Sequence, residues 1–377
     1  MRRLLPLVGA IVFVDTMFFT ALTPLLPHYA DRFDLSKFGA GVLSAAYPVG
    51  VLVGGIPSGI ATGRFGPRAV TVTGLLMMAG TTLAFGVAGS IVVLDAARFA
   101  QGLASSCAWT AGLAWLVGAA PAGRRGALIG SAMAAAVVGA LFGPVLGWIA
   151  SATATGIAFG VVGGIALGLA AWAATTDRPT GHGAQPVQAL FDAVRTRAVA
   201  GAIWFVVLPA LLFGTLSVLA PLRLHELGGT SLLIGGAFLV AAACEAVVNP
   251  VLGRISDRTG RLLPIRGGLV ASALVASLLP WPDDRFVLAA LVVAAGIAFG
   301  SFWTPAMSLL SDTAETVGLG YAYSFALVNL AWAPGQAVGS TVSGALADLT
   351  SDAVPYLLLG GTCVLTLAAL WRSTASS

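Results

Sequence analysis

Apolar residues fill twelve long stretches of the chain, at 5–27, 39–59, 69–89, 91–118, 127–150, 154–174, 199–221, 232–252, 264–282, 286–310, 319–347 and 353–371, with short polar turns between them. A helix satisfies its own backbone hydrogen bonds and needs about 20 apolar residues to cross a hydrocarbon core of about 30 Å. The pattern therefore predicts an all-α integral membrane protein of twelve transmembrane helices. The first stretch follows Arg2 and Arg3 in the manner of a signal peptide, but its length and the eleven spans after it mark it as a retained helix. The longest gap, 175–198, contains Asp177, Arg178, Pro179, Gly181, His182, Gly183 and Pro186, the composition of a solvated linker. It divides the chain into an N-terminal six-helix bundle (1–176), a linker (177–198) with a short amphipathic helix near Leu190, Phe191 and Val194, and a C-terminal six-helix bundle (199–377).

Composition supports this reading and removes alternatives. The 377 residues are 58% hydrophobic and 9% charged, with 19 basic and 15 acidic side chains, and the mean hydropathy is +0.95. A soluble domain carries charge on roughly a quarter of its residues. The three cysteines, Cys107, Cys244 and Cys363, all lie in apolar stretches, which excludes a secreted disulfide scaffold. The net charge of +4 does not imply a nucleic-acid partner, because the basic residues cluster at one set of span ends. With both termini in the cytoplasm, fourteen Lys and Arg residues fall inside and four outside (Arg32, Lys37, Arg223, Arg285), leaving Arg98 within a span. The segment 311–317 is the exception, with Asp312 and Glu315 and no basic residue on the expected inner side.

The two halves resemble each other. A shift of 194 residues places Gly59-Ile-Ala-Thr-Gly63-Arg64-Phe-Gly66 on Gly253-Arg-Ile-Ser-Asp257-Arg258-Thr-Gly260, Trp109-Thr110 on Trp303-Thr304 and Gly102 on Gly296. An offset of 196 places Gly139 and Gly143 on Gly335 and Gly339. Two homologous six-helix halves are expected, with the substrate site between them near the membrane midplane.

Three motifs carry a more specific signal. Glycines in the turns at 59–68 and 253–261 let helices reverse within a few residues, and arginines anchor their ends among anionic headgroups. The fourth span contains Arg98-Phe-Ala-Gln101-Gly102, and the fifth Gly139-Ala-Leu-Phe-Gly143-Pro144-Val-Leu-Gly147, in which small residues permit close helix contact and Pro144 removes a backbone donor. These segments resemble signatures of the major facilitator superfamily. The loop pattern Gly-x-x-x-Asp-Arg-x-Gly-Arg is matched by Gly253, Asp257, Arg258, Gly260 and Arg261. The first copy keeps Gly59 and Arg64 but has Gly63 in the acidic position. Arg98, Gln101 and Gly102 match Arg-x-x-Gln-Gly, and Gly139, Gly143, Pro144 and Gly147 resemble the fifth-helix signature of the 12-helix drug:proton antiporters. The resemblance implies two pseudo-symmetric bundles that alternate in access, a cytoplasmic latch whose carboxylate is Asp257, and outward export.

Three ionisable residues remain deep in the spans: Asp15, Arg98 and Glu245. A buried guanidinium costs about 2.5–3.5 kcal/mol on insertion scales and faces a partner or a wet cavity. Asp95, one turn away, and Asp15, about 5 Å different in depth at 1.5 Å per residue, can both serve Arg98. Burial disfavours a carboxyl group's charged form, so a deep carboxylate suits a site taken by a proton or a cationic substrate in turn. Glu245 and Asp15 are the candidates, with a hydrogen bond to Asn249 as the purely packing role for Glu245. Phe18, Phe19, Tyr47, Gln101, Trp109, Trp303, Asn329 and Trp332 lie at depths suited to a substrate cavity, where aromatic rings supply area and cation–π attraction. His28, His182 and His225 are too scattered to bind a metal, and neither a phosphate loop nor a nucleophile with a base is present. The expectation is a non-enzymatic, cofactor-free transporter in the plasma membrane, working as a monomer. It would exchange protons for small lipophilic or cationic molecules; the alternative is a facilitator or proton symporter for a sugar, organic acid or other metabolite.

Overall fold

The computed structural model describes residues 3–120, 125–177, 188–319 and 321–375, with 125–127, 257, 321–325 and 373–375 described by backbone alone. The described residues form α1 (Leu4–Phe33), α2 (Lys37–Phe65), α3 (Pro67–Gly86), α4 (Ile91–Gly118), α5 (Arg125–Ala152), α6 (Thr155–Thr175), α7 (Gln188–Val194), α8 (Arg197–Glu226), α9 (Ser231–Thr259), α10 (Leu262–Leu278), α11 (Arg285–Gly300), α12 (Trp303–Thr316), α13 (Tyr321–Leu349) and α14 (Ala353–Ala375). Among the described residues, each apolar stretch expected to span lies largely on helix. The short helix expected near Leu190 is α7, and one feature departs from the plain pattern: the tenth stretch breaks at residues 301–302 into α11 and α12. Among the described residues nine segments are long and apolar enough to cross a membrane, counting Arg285–Thr316 as one. The 17-residue α10 is shorter, and the polar side chains of α4 and α13 lower the hydropathy of those longer helices.

The chain forms two compact units that interleave along the sequence. Unit 1 comprises Met1–Leu25, Ala46–Leu190 and Gly320–Leu330; unit 2 comprises Leu26–Ala45, Phe191–Leu319 and Ala331–Ser377. In unit 1, α3 packs against α4 and α6, around Phe18, Phe85 and Phe159, whose rings meet edge to face at 5.0–5.6 Å. In unit 2, α9 packs on α11, α10 on α14 and α12 on α8.

The internal repeat extends to individual contacts. A Cβ added to Gly143 of α5 would sit 2.7 Å from the Met17 carbonyl oxygen of α1, and one added to Gly139 would collide with the Phe13 carbonyl. In unit 2, a Cβ on Gly335 of α13 would sit 2.6 Å from the Val207 oxygen of α8, and one on Gly339 would collide with the Leu211 oxygen. Val207 and Leu211 are Phe13 and Met17 shifted by 194 residues. Gly102 meets Tyr47, and its equivalent Gly296 meets Ala241, the same shift again. Both turn motifs also hold a glycine in a left-handed conformation, Gly66 at φ 84° and Gly260 at φ 87°, a region that costs a side chain dearly.

The segment 311–317, anomalous by charge, has a local explanation. It continues α12 to Thr316, and Asp312 pairs with Arg261 at 3.1 Å. At the opposite end of unit 2, basic residues are held by local acceptors. Lys37 pairs with Asp352 at 2.7 Å and Glu226 at 3.3 Å, Arg223 with Glu226 at 3.2 Å, and Arg285 donates to the Gly228 carbonyl at 2.7 Å. The Asp348 carboxylate accepts the Lys37 and Phe38 backbone N–H groups at 3.0 and 2.8 Å. It thereby caps α2 from a helix more than 300 residues away in sequence. Asp348→Ala is expected to lower stability by about 1–2 kcal/mol, the usual loss when a helix N-cap is removed, with partial recovery in Asp348→Asn. Thermal unfolding in detergent checks this, and an unchanged midpoint in Asp348→Ala would show that the cap contributes nothing.

Candidate functional site

Three helices of unit 1 build a polar cluster inside an apolar bundle. Asp15 of α1 is 3% exposed, and its Oδ2 atom accepts from Tyr47 Oη of α2 at 2.9 Å, Ser105 Oγ of α4 at 2.8 Å and Trp109 Nε1 of α4 at 2.7 Å. Tyr47 Oη also lies 2.7 Å from Ser105 Oγ. On α4, residues 101, 105 and 109 recur every four positions and so share one face. Close helix approach makes these distances possible: a Cβ on Gly102 would collide with the Tyr47 carbonyl oxygen and lie 2.9 Å from Gly50 Cα. On the other side of α1, the glycine stripe of α5 leaves no side chain to hold the helices apart.

Arg98, 1% exposed, occupies an aromatic cage. Its Cζ atom lies 5.1 Å from the centroid of Tyr47, 5.6 Å from Phe18 and 5.9 Å from both Phe19 and Phe85. Such placement over ring faces is attractive, more so when desolvated. Its Nη1 donates to Gln101 Oε1 at 3.1 Å and its Nη2 to the Phe19 carbonyl at 3.3 Å. Gln101 in turn donates to Thr82 of α3 at 3.2 Å. Asp15 and Arg98, expected from sequence as a pair at similar depth, are thus both brought against the Tyr47 side chain, Asp15 at its hydroxyl and Arg98 at its ring.

Several expected cavity residues have more definite roles here. Phe18, 2% exposed, packs as core among Phe85 and Phe159; Trp109 and Tyr47 hold the Asp15 carboxyl; Gln101 orients Arg98. Phe19 stacks against Tyr47 with centroids 4.8 Å apart. Trp303, Asn329 and Trp332 are half-buried. Ser105 and Thr82 were not singled out by sequence. Ser105 was legible in principle, lying one turn from both Gln101 and Trp109, but serine is too common in apolar helices to draw notice.

Glu245, in unit 2, accepts from Asn249 Nδ2 at 3.3 Å. Its carboxyl group packs against Gly300, where a Cβ would lie 2.6 Å from the Glu245 Cδ atom. Gly300 ends α11, so the carboxyl group rests at the interruption before α12. Gly300→Ala would meet the movable end of a side chain rather than backbone. It is expected to cost less than about 1 kcal/mol while displacing Glu245 from Asn249. Its transport defect should then match that of Glu245→Gln at near-native thermal stability; normal transport in Gly300→Ala would argue against a role for this contact.

The turn residues lie at helix ends. Arg64 is exposed and stacks over Phe65 at 5.4 Å, and Arg68 donates to the Ala174 carbonyl, closing the end of α6. Gly59 and Gly253 face open space, Arg258 is exposed, and Arg261 joins Asp312 to Ser256. The side chain of Asp257 lies outside the described residues.

Comparison with known proteins places this geometry in context. The sequence profile of the Major Facilitator Superfamily matches residues 8–335 and, separately, 210–376. An uncharacterized MFS-type transporter, C18.02, of Schizosaccharomyces pombe is 32% identical over 139 residues, which are 34% of this chain and 31% of the relative. MFS-type transporter ppzB of Metarhizium rileyi is 29% identical over 107 residues, 27% of this chain and 22% of the relative. The matched stretches thus span less than a third of either relative. A bacterial homolog to the human lysosomal transporter Spinster, in an inward-facing and unoccupied conformation, superposes with a TM-score of 0.75 at 15% identity, covering 99% of this chain and 95% of that one.

Proposed function

Since this chain belongs to the Major Facilitator Superfamily, and is therefore a multi-pass membrane transporter rather than an enzyme, we propose that it exchanges protons for small lipophilic or cationic molecules, exporting them by alternating access. The observation that carries this reading is the Asp15 cluster, a carboxyl group buried among neutral donors, with a caged arginine against the Tyr47 ring. Intramembrane ionisable groups are costly and mark ion or substrate pathways. A carboxyl group so placed takes a proton or the positive charge of a ligand, and occupancy by one opposes the other. Glu245, with Asn249 at the α11–α12 break, supplies a second such group. Phe19 and Trp109, half-buried beside this cluster, offer aromatic area without fixed polarity, which suits varied lipophilic ligands. The protein would act as a monomer in the plasma membrane with both termini cytoplasmic.

Reconstituted vesicles loaded with a fluorescent lipophilic cation such as ethidium, and energised by a pH gradient, test this. Export should stop when the gradient is collapsed by a protonophore. Export that continues unchanged after collapse overturns proton coupling.

A further inference from the structure

The oxygens Asp15 Oδ2, Tyr47 Oη and Ser105 Oγ form a closed triangle with edges of 2.9, 2.7 and 2.8 Å. Each edge is short enough to require a hydrogen between its oxygens. Tyrosine and serine each bring one O–H. With Asp15 protonated on Oδ2 there are three protons for three edges, and because a phenol is a stronger donor than a serine hydroxyl the ring takes the sense in which Tyr47 donates to Ser105, Ser105 to Asp15 and Asp15 to Tyr47. Oδ1 is a poorer seat for the proton, since it has no hydrogen-bond partner among the described residues.

When the Asp15 O–H bond breaks and its proton passes to water, two protons remain. The ionised Oδ2 is the strongest acceptor present, so the Tyr47 and Ser105 hydroxyls both turn to it. The Tyr47–Ser105 edge is left with two facing lone pairs and must open. The backbones of α2 and α4 are already in contact at Gly50 and Gly102, so the ring cannot relax by drawing closer. Relief comes from turning the Tyr47 side chain or parting the helices.

We propose that Ser105 is a positioning residue of the transport cycle, and that its bond from Tyr47 links α2 to α4 only while Asp15 carries a proton. Loss of the proton transfers the Tyr47 hydroxyl from Ser105 to Asp15. The same phenol ring stands against the Arg98 guanidinium, so the rearrangement reaches that cage as well. This deepens the reading of Asp15 as the proton site and rests on it. Among the described residues, the titratable and charged groups in contact with the cluster are Tyr47 and Arg98, with Asp95 and Cys107 elsewhere on α4. Past Arg125 in α5, past Arg68 in α3, and throughout α6, no residue titrates.

Infrared difference spectra of the full-length protein in detergent, taken across a pH titration, provide the test without a substrate. The carboxyl C=O band that Asp15→Asn removes reports the proton. The tyrosine C–O band that Tyr47→Phe removes reports whether that hydroxyl donates, accepts or does both. In the wild type the two bands should change together. In Ser105→Ala the Asp15 band should still titrate while the Tyr47 band of a hydroxyl that both donates and accepts is absent at every pH, and Ser105→Thr, which keeps the hydroxyl, should restore it. A titrating Asp15 band with an unchanging Tyr47 band in the wild type, or a donor-and-acceptor Tyr47 band that survives in Ser105→Ala, overturns this inference and leaves the proton site standing. Absence of any band removed by Asp15→Asn overturns both.

Discussion

Gly102→Ala is expected to prevent stable folding, or to lower stability by more than about 3 kcal/mol, the upper end of ordinary overpacking costs. The new methyl group would strike the Tyr47 carbonyl oxygen and approach the backbone at Val51 N to 2.8 Å and Gly50 Cα to 2.9 Å. Backbone atoms of a packed helix cannot rotate aside as a side-chain tip can. Separating α2 from α4 would also pull Tyr47 from Ser105 and Asp15. Gly160→Ala in α6 is the control, because its Cβ would meet nothing within 4 Å, and alanine favours a helix by about 1 kcal/mol over glycine. Thermal unfolding and gel-filtration profiles of both variants decide the matter. A native midpoint for Gly102→Ala would mean that the crossing is looser than the geometry indicates.

Asp15→Asn is expected to abolish proton-driven exchange, a loss of at least about 100-fold, on the scale at which single proton-transferring groups act, while the protein remains folded. Asparagine has nearly the same shape, and its carbonyl oxygen accepts from Trp109 and the two hydroxyls as the carboxyl does, but it neither takes up nor releases a proton. The variant should therefore retain cooperative thermal unfolding and counterflow of ethidium down its own gradient, while losing accumulation driven by a pH gradient. Glu245→Gln, measured beside it, separates the two carboxyl sites. PH-driven exchange at the native rate in both variants would remove both residues from coupling.

This chain has a frame that repeats and a polar cluster that does not. Shifting Asp15, Tyr47 and Ser105 by 194 residues leads to Pro209, Ala241 and Phe299, although Gly296 still meets Ala241 as Gly102 meets Tyr47. The glycines are held to the repeat because two helix backbones touch there in both units. The triad lies outside that requirement, so a buried carboxyl cluster was free to appear in one unit alone. Glu245 lies in the other unit, against Gly300, and its own equivalent is Val51.

The sequence alone was sufficient to place the chain on apolar helices, to find the repeat and to pick out Asp15, Arg98 and Glu245 among apolar neighbours. Apolar run length and the cost of burying charge act locally and need no knowledge of neighbours. Depth along α1 and α4 even placed Asp15 and Arg98 at similar levels. Side-chain direction was beyond its reach, because helix rotation is set by which small residues meet across helices. That rotation put Tyr47, Ser105 and Trp109 on a single carboxyl oxygen, packed Phe18 into the core, and set Gly300 beneath Glu245. Tertiary structure likewise decided that Asp312 answers Arg261 and that Asp348 caps α2, since both contacts join segments whose separation in sequence carries no trace of their proximity.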